Sequence, residues 1–369
     1  KAPSSPPAPE NLGAAPPFAA PVVPSALDNK PGAPVLLLPK RTSRRVQIVG
    51  AVVSLLLVGA GALELTSLGA FGRHAVMAVL NKEKYALLLS GTMASSRQAF
   101  ANDTFADAKS MLAAIDKAHA ENPRAPGLLA YGAFAGYMTE LRFGRDSAID
   151  AHAKHMLADV PFDETGRPIE LAHPAQAAVQ GQLPRARQLV EAVLHRDPND
   201  IDALVLAGEI ELLAKDDAKA VEAWKRAVEA DQGTARTTFG LARALYAAGN
   251  VDEAAAQAEA ALKHSPRHVG ARILLARIAW AKSDEATAVR HLTEVISDES
   301  VSAGASNSER VDALTLLGHL HIARSRVTDA GKVLIEALKL DPKSGPALAG
   351  MGEVLFRELA HAFREGERV

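Results

Sequence analysis

Arg243 and Arg277 are separated by thirty-four positions, and Tyr246 and Trp280 by the same interval. Guanidinium groups are planar, two-pronged donors and aromatic rings are large rigid apolar faces, the side chains that protein-binding hot spots use most. Tyr246 and Trp280 are two of only six Trp and Tyr residues in the chain, so their shared spacing stands out. The means for other chemistry are scarce. With no cysteine, disulfides, zinc–thiolate sites and thiol nucleophiles are excluded. No phosphate-binding glycine loop, H-E-x-x-H or G-x-S-x-G occurs. His152 with His155, and His319 with His321, come nearest to a metal pair, but a metal needs more ligands and no carboxylate is well placed beside either pair. The sequence predicts no catalytic residue, no metal and no cofactor, and its chemistry is that of binding.

The same interval runs through the small residues that must position these side chains. Gly208, Ala242 and Ala276 recur at it, and Ala220, Ala254 and Ala288 follow twelve positions later in each unit. In units 201–234, 235–268 and 269–302, position 24 holds Trp224, Ala258 or Leu292, and position 27 holds Ala227, Ala261 or Val295. Gly249 marks a turn and Pro266 a helix end. This pattern resembles the tetratricopeptide repeat (TPR), a helix–turn–helix unit of that same length. The resemblance implies an all-α fold, a right-handed α-solenoid in which small residues sit where helices press together. The frame extends back to 167–200, with Gly181, Ala186, Val190, Val193 and Pro198, although Pro174 occupies a packing position. Weaker matches are 129–162, with Gly136 and Ala148, and 95–128, with Ala108, Leu112 and Ile115. A polar insert near 302–310 reads as a loop between units. Beyond it, 311–344 restores Gly318, Ala330, Leu334, Ala337 and Pro342, and a truncated unit with Gly352 starts at Gly345. The repeat domain is therefore 95–369, about seven units with the last one partial.

In TPR arrays, positions two, five, nine and twelve of the first helices line the concave face. The resemblance thus implies a partner-binding set of Glu209, Arg236, Phe239, Arg243, Tyr246, Ile273, Arg277, Trp280 and His319, with Asp202, Val205, Leu212, Gly270, Thr315 and Ile322 at equivalent positions. Arg243 and Arg277 are expected to stack as a cationic ladder beside Phe239, Tyr246 and Trp280, suited to an extended peptide bearing carboxylates. The alternative is that these side chains pack against the adjacent repeat, Trp280 above all. The lysine and asparagine clamp of chaperone-binding TPRs is missing, since its positions carry Val205 and Glu209, or Phe239 and Arg243.

Upstream, residues 46–63 run 18 positions without a charge, enough to cross a bilayer core of ~30 Å at ~1.5 Å per residue, and 65–71 can lengthen the run. A transmembrane helix over 46–71 is expected, followed by a connecting helix over 72–94. Lys40, Arg41, Arg44 and Arg45 form a basic flank at 40–45, which keeps the amino terminus in the cytoplasm and the repeats on the far side. Residues 1–39 hold 11 of the 21 prolines and form a disordered, partly extended linker. Lys1 opens directly into that linker, so a domain upstream is expected. A net charge of −2 over 369 residues argues against nucleic acid as a partner. The richness in alanine and arginine points to a bacterium, whose far side is the periplasm. The expectation is a non-enzymatic scaffold or adaptor, anchored in the bacterial inner membrane within a pilus, secretion or gliding-motility machine. The alternative is the sensor half of a single-span receptor whose cytoplasmic part is a signalling enzyme such as a kinase.

Overall fold

The computed structural model describes residues 52–54 and 81–366. The linker 1–39, the basic flank and the expected membrane span lie outside the described residues, apart from the helical 52–54. Among the described residues no helix is long and apolar enough to cross a membrane.

From residue 82 the chain is a succession of helices, with no strand among the described residues. Seven antiparallel pairs follow one another: α1 (Lys82–Ala101) with α2 (Phe105–Glu121), α3 (Pro126–Phe143) with α4 (Ser147–Ala158), α5 (Arg167–Val179) with α6 (Leu183–Arg196), α7 (Ile201–Ala214) with α8 (Asp217–Asp231), α9 (Ala235–Ala247) with α10 (Val251–His264), α11 (Val269–Ala281) with α12 (Glu285–Ser297), and, after a one-turn α13 (Glu299–Ser302), α14 (Asn307–Ala323) with α15 (Val327–Leu340). A final helix, α16 (Gly345–Gly366), closes the array. The first helices at Arg167, Ile201, Ala235 and Val269 begin where the repeat frame places them.

Local chemistry sets these boundaries. Asp200, Thr234 and His268, one repeat interval apart, each accept a backbone N–H at the start of the following helix. The turn between the two helices of a unit uses a left-handed residue at the same interval: Gly181, Lys215, Gly249 and Ser283 all have φ between 57° and 81°. Only two of the four are glycines, so the turn is imposed on Lys215 and Ser283 by the packing around them. Ser325 is the next, and it falls eight positions later than the interval puts it, which lengthens the connection between the last two full units.

Two boundaries differ from those read in the sequence. The insert near 302–310 is largely helical: α13 ends at Ser302, and α14 starts at Asn307 behind a capping box in which Ser306 and Glu309 exchange hydrogen bonds. A polar run without apolar periodicity hid this helix start, because caps and first turns are themselves polar. At the other end α1 runs through Ser95, so the first pair begins upstream of the frame drawn from sequence. Pro174, inside α5, is buried at position eight of its unit, where the next unit has Gly208. It loses one helical hydrogen bond but fills the contact.

The core lies between the pairs. Trp224 on α8 is 1% exposed, and a Cβ added to Gly208 would lie 2.5 Å from its Nε1. A Cβ on Gly240 of α9 would overlap the far edge of the same ring. The indole is thus clamped between two helix backbones that approach only because both positions lack side chains. Gly240→Ala is expected to lower stability by about 1–3 kcal/mol through overpacking. In a Trp224→Phe background the same change should cost measurably less, as read by denaturant midpoints; an equal cost in both backgrounds would show that the ring is not the obstacle.

Candidate protein-interaction site

The array curls until its first two pairs meet its last ones. Along α1, Arg97 Nε lies 3.3 Å from Asp202 Oδ2 at the start of α7, and the Phe100 ring sits under the Arg236 guanidinium at 4.2 Å, at the start of α9. Arg167 ties the same rim together, bonding Asp200 at 2.5 and 2.7 Å and Asp202 at 2.6 Å. At the corner between α1 and α2, the Phe105 N–H donates to the Gly304 carbonyl at 2.9 Å, a contact that spans most of the array.

Asp103 is the centre of that corner. Its backbone is left-handed (φ 51°), a conformation Asp tolerates, and its carboxylate is 1% exposed. Arg142 Nε, at the end of α3, donates to its Oδ2 at 2.6 Å, and His268 Nε2 lies 3.0 Å from the same oxygen. His268 Nδ1 accepts the Ala271 N–H at 3.1 Å, which places the imidazole proton on Nε2, facing the carboxylate. Burial pushes the Asp103 carboxyl up, but Arg142 and His268 outweigh it and hold it well below the usual carboxylate range. Arg142 in turn stacks between the Phe143 and Phe239 rings at 4.5 and 4.7 Å, and its Nη2 lies 3.3 Å from Glu309 Oε1. Five segments distant in sequence therefore converge on one arginine–aspartate pair.

Beside this junction the concave side keeps a cavity of about 300 Å³. Of the residues expected to bind a partner, it brings together Phe239, Arg243, Tyr246, Ile273 and Arg277; Arg142, Gly144, Ser308, Glu309 and Asp312 join them. The others lie elsewhere. Glu209 is buried beneath the cavity as the partner of Arg243, at 2.7 Å. Arg236 is engaged by Phe100, Trp280 packs half-buried against the core between α11 and α14, and His319 lies beside α16, where a Cβ on Gly350 would be 3.2 Å from its Cε1. The expected cationic ladder is not cationic: Arg243 is neutralised by Glu209 and Arg277 lies 3.7 Å from Asp312. Position nine of the unit before Arg243 is itself acidic, Glu209, so the first rung of the ladder carries the opposite sign to the two arginines after it.

His152 pairs with Asp116 at 2.8 Å and His155 with Asp159 at 3.3 Å. No group of three potential metal ligands occurs among the described residues.

Sequence reading missed Asp103, Arg142 and Glu309. His268 alone had a signal, as the third member of the cap series begun by Asp200 and Thr234; the contact with Asp103 had none. Asp103→Asn keeps the left-handed backbone and removes the charge, leaving Arg142 with Glu309 alone. A loss of about 3 kcal/mol is expected, the lower end of what breaking a buried pair costs. Limited proteolysis should then cut near Asn102; unchanged stability and protection would show that the junction is not held by charge.

A model of the tetratricopeptide repeat matches residues 177–235 and 239–300. Protein CTR9 homolog of Arabidopsis thaliana is 26% identical over 211 residues, which is 47% of this chain and 19% of that protein, so this chain spans about a fifth of the relative's length. The crystal structure of the APC/C hetero-tetramer Cut9–Hcn1 superposes with a TM-score of 0.56 at 15% identity, covering 80% of this chain and 54% of that one, a likeness of fold alone. A thermophilic TPR protein of Thermus thermophilus gives a TM-score of 0.43 at 18% identity, covering 51% of this chain and 97% of that one. Residues 177–235 and 239–300 thus match the tetratricopeptide repeat, and residues 82–366 stack as an all-α array of helix pairs.

Proposed function

We propose that this protein is a non-enzymatic scaffold that holds partner proteins at the cavity between α9, α11 and α14. The observation that carries this reading is the lining itself: Phe239, Tyr246 and Ile273 form an apolar floor, and Arg277 and Asp312 form a loose polar rim. At about 300 Å³ the space suits one or two anchoring side chains of a partner rather than a length of extended peptide. Because Arg142 and Arg243 already have carboxylate partners, the anchor is an aromatic or aliphatic side chain, with a polar neighbour that opens the Arg277–Asp312 pair. We further propose, from the uncharged run 46–63 and its basic flank, that residues 46–71 anchor the chain in a bacterial inner membrane. In this reading the amino terminus is cytoplasmic and the repeats are periplasmic, serving a pilus, secretion or gliding-motility complex.

Two experiments test this. A reporter fused after Val369 should be active only outside the cytoplasm; a cytoplasmic signal rejects the orientation. A photo-crosslinking amino acid in place of Tyr246 should trap an envelope protein in native cells, and Arg277→Glu should cut the yield about tenfold, equivalent to about 1.4 kcal/mol of binding. Arg277 is exposed, so helical content and melting should stay unchanged, whereas Arg243→Glu would strand the buried Glu209 and is no clean probe. Undiminished crosslinking in Arg277→Glu would move recognition off the concave face.

A further inference from the structure

The helix α16 has two apolar faces and uses one. Ala347, Gly350 and Val354 are buried against the preceding pair, and Arg357 reaches back to donate to the Ile322 carbonyl at 2.8 Å. On the other side Leu348, Leu355, Phe356, Leu359 and Phe363 are 49–70% exposed. At ~100° per residue these five, with Gly352 among them, form a continuous stripe about 100° wide, the width of a face that packs against another helix.

The repeat lattice says what is missing there. Gly208 meets the side chain of Trp224, sixteen positions on, and Gly318 meets that of Leu334 at the same interval. Gly352 stands at the equivalent position, and a Cβ added to it would meet nothing within 4 Å. The residue sixteen positions after it is Arg368, with no apolar group to offer. Nor does the chain turn back: α16 continues through Leu359, which stands one repeat interval after the left-handed Ser325 and so falls where the frame puts the next turn. The second helix of this unit is therefore not supplied by residues 353–366, and the stripe is a half-built helix contact.

We propose that a second copy of this chain completes it, the two α16 helices pairing antiparallel about a twofold axis between Leu355 and Phe356. In that register Gly352 receives the partner's Leu359, Leu348 faces the partner's Phe363, and Leu355 faces the partner's Phe356. Each small or medium side chain thus meets a large one, which is the self-complementarity a twofold contact demands. The flanks carry both signs, with Glu353 held by Arg357 at 2.6 Å and with Glu358 and Arg364 alongside. In this register Glu353 comes level with the partner's Glu358, so the flanking charges add no attraction and the apolar stripe carries the contact.

The absence of cysteine from the whole chain makes the register directly testable. Full-length chains carrying Gly352→Cys and Leu359→Cys are prepared separately in detergent, mixed, and oxidised with copper–phenanthroline. The mixed 352–359 disulfide should form at least tenfold faster than either like-with-like product, because like cysteines would lie about 10 Å apart along the axis, beyond disulfide reach. Light scattering should give a dimer mass for the cysteine-free chain and a monomer mass for Leu359→Glu, whose exposed site leaves helical content unchanged by circular dichroism. A monomeric parent chain, a dimer that survives Leu359→Glu, equal rates for all three disulfides, or a monomer that binds lipid vesicles through this stripe would each overturn the proposal.

Discussion

The Asp103 carboxylate, shared between Arg142 and His268 and sealed from water, is the constraint on which the shape of this array depends. A solenoid of stacked helix pairs is held by contacts between neighbours, and nothing in such contacts requires the first unit to meet the sixth. Here one aspartate in a left-handed corner joins the end of α3 to the start of α11, and through Arg142 to Glu309 of α14. A buried charge is costly alone, so the geometry must place all partners at once or not at all. That requirement turns a quasi-one-dimensional stack into a closed body with long-range order.

Closure also decides what remains for binding. Helix α1 lies along the beginnings of α5, α7 and α9, where Phe100 and Arg97 engage Arg236 and Asp202. Part of the surface that an open array would offer is thereby internal, and Arg243, Tyr246, Ile273 and Arg277 are left lining the cavity beside Arg142. The arginines in its wall owe their positions to carboxylates within the chain. Its apolar floor therefore carries more of the recognition than its charge, since a guanidinium already paired gains little from a second carboxylate.

The two ends of the array solve the same problem differently. The first pair packs the end of α1 against later units, whereas α16 presents an apolar stripe with an unfilled glycine position at its centre. A repeat cannot bury its hydrophobic face alone, and a terminal one needs either a polar outer surface or a neighbour. Leu355, Phe356 and Leu359 are not a polar outer surface.

The sequence by itself determined the contacts that recur from one unit to the next. The starts of α5, α7, α9 and α11, the caps Asp200, Thr234 and His268, and the small residues at Gly208, Ala220, Ala254 and Ala288 follow from periodicity, because each repeats a local contact between adjacent units. Only the tertiary structure decided which of the expected binding residues face a cavity. Glu209 and Arg236 share a register position or face with Arg243 and Phe239, yet one is buried as an ion-pair partner and the other is covered by Phe100. The covering of Arg236, and the closure beside it, rest on Phe100, Asp103 and Arg142 meeting residues far away along the chain. No spacing within the chain encodes such a meeting, since it arises from the accumulated curvature of the stacked pairs.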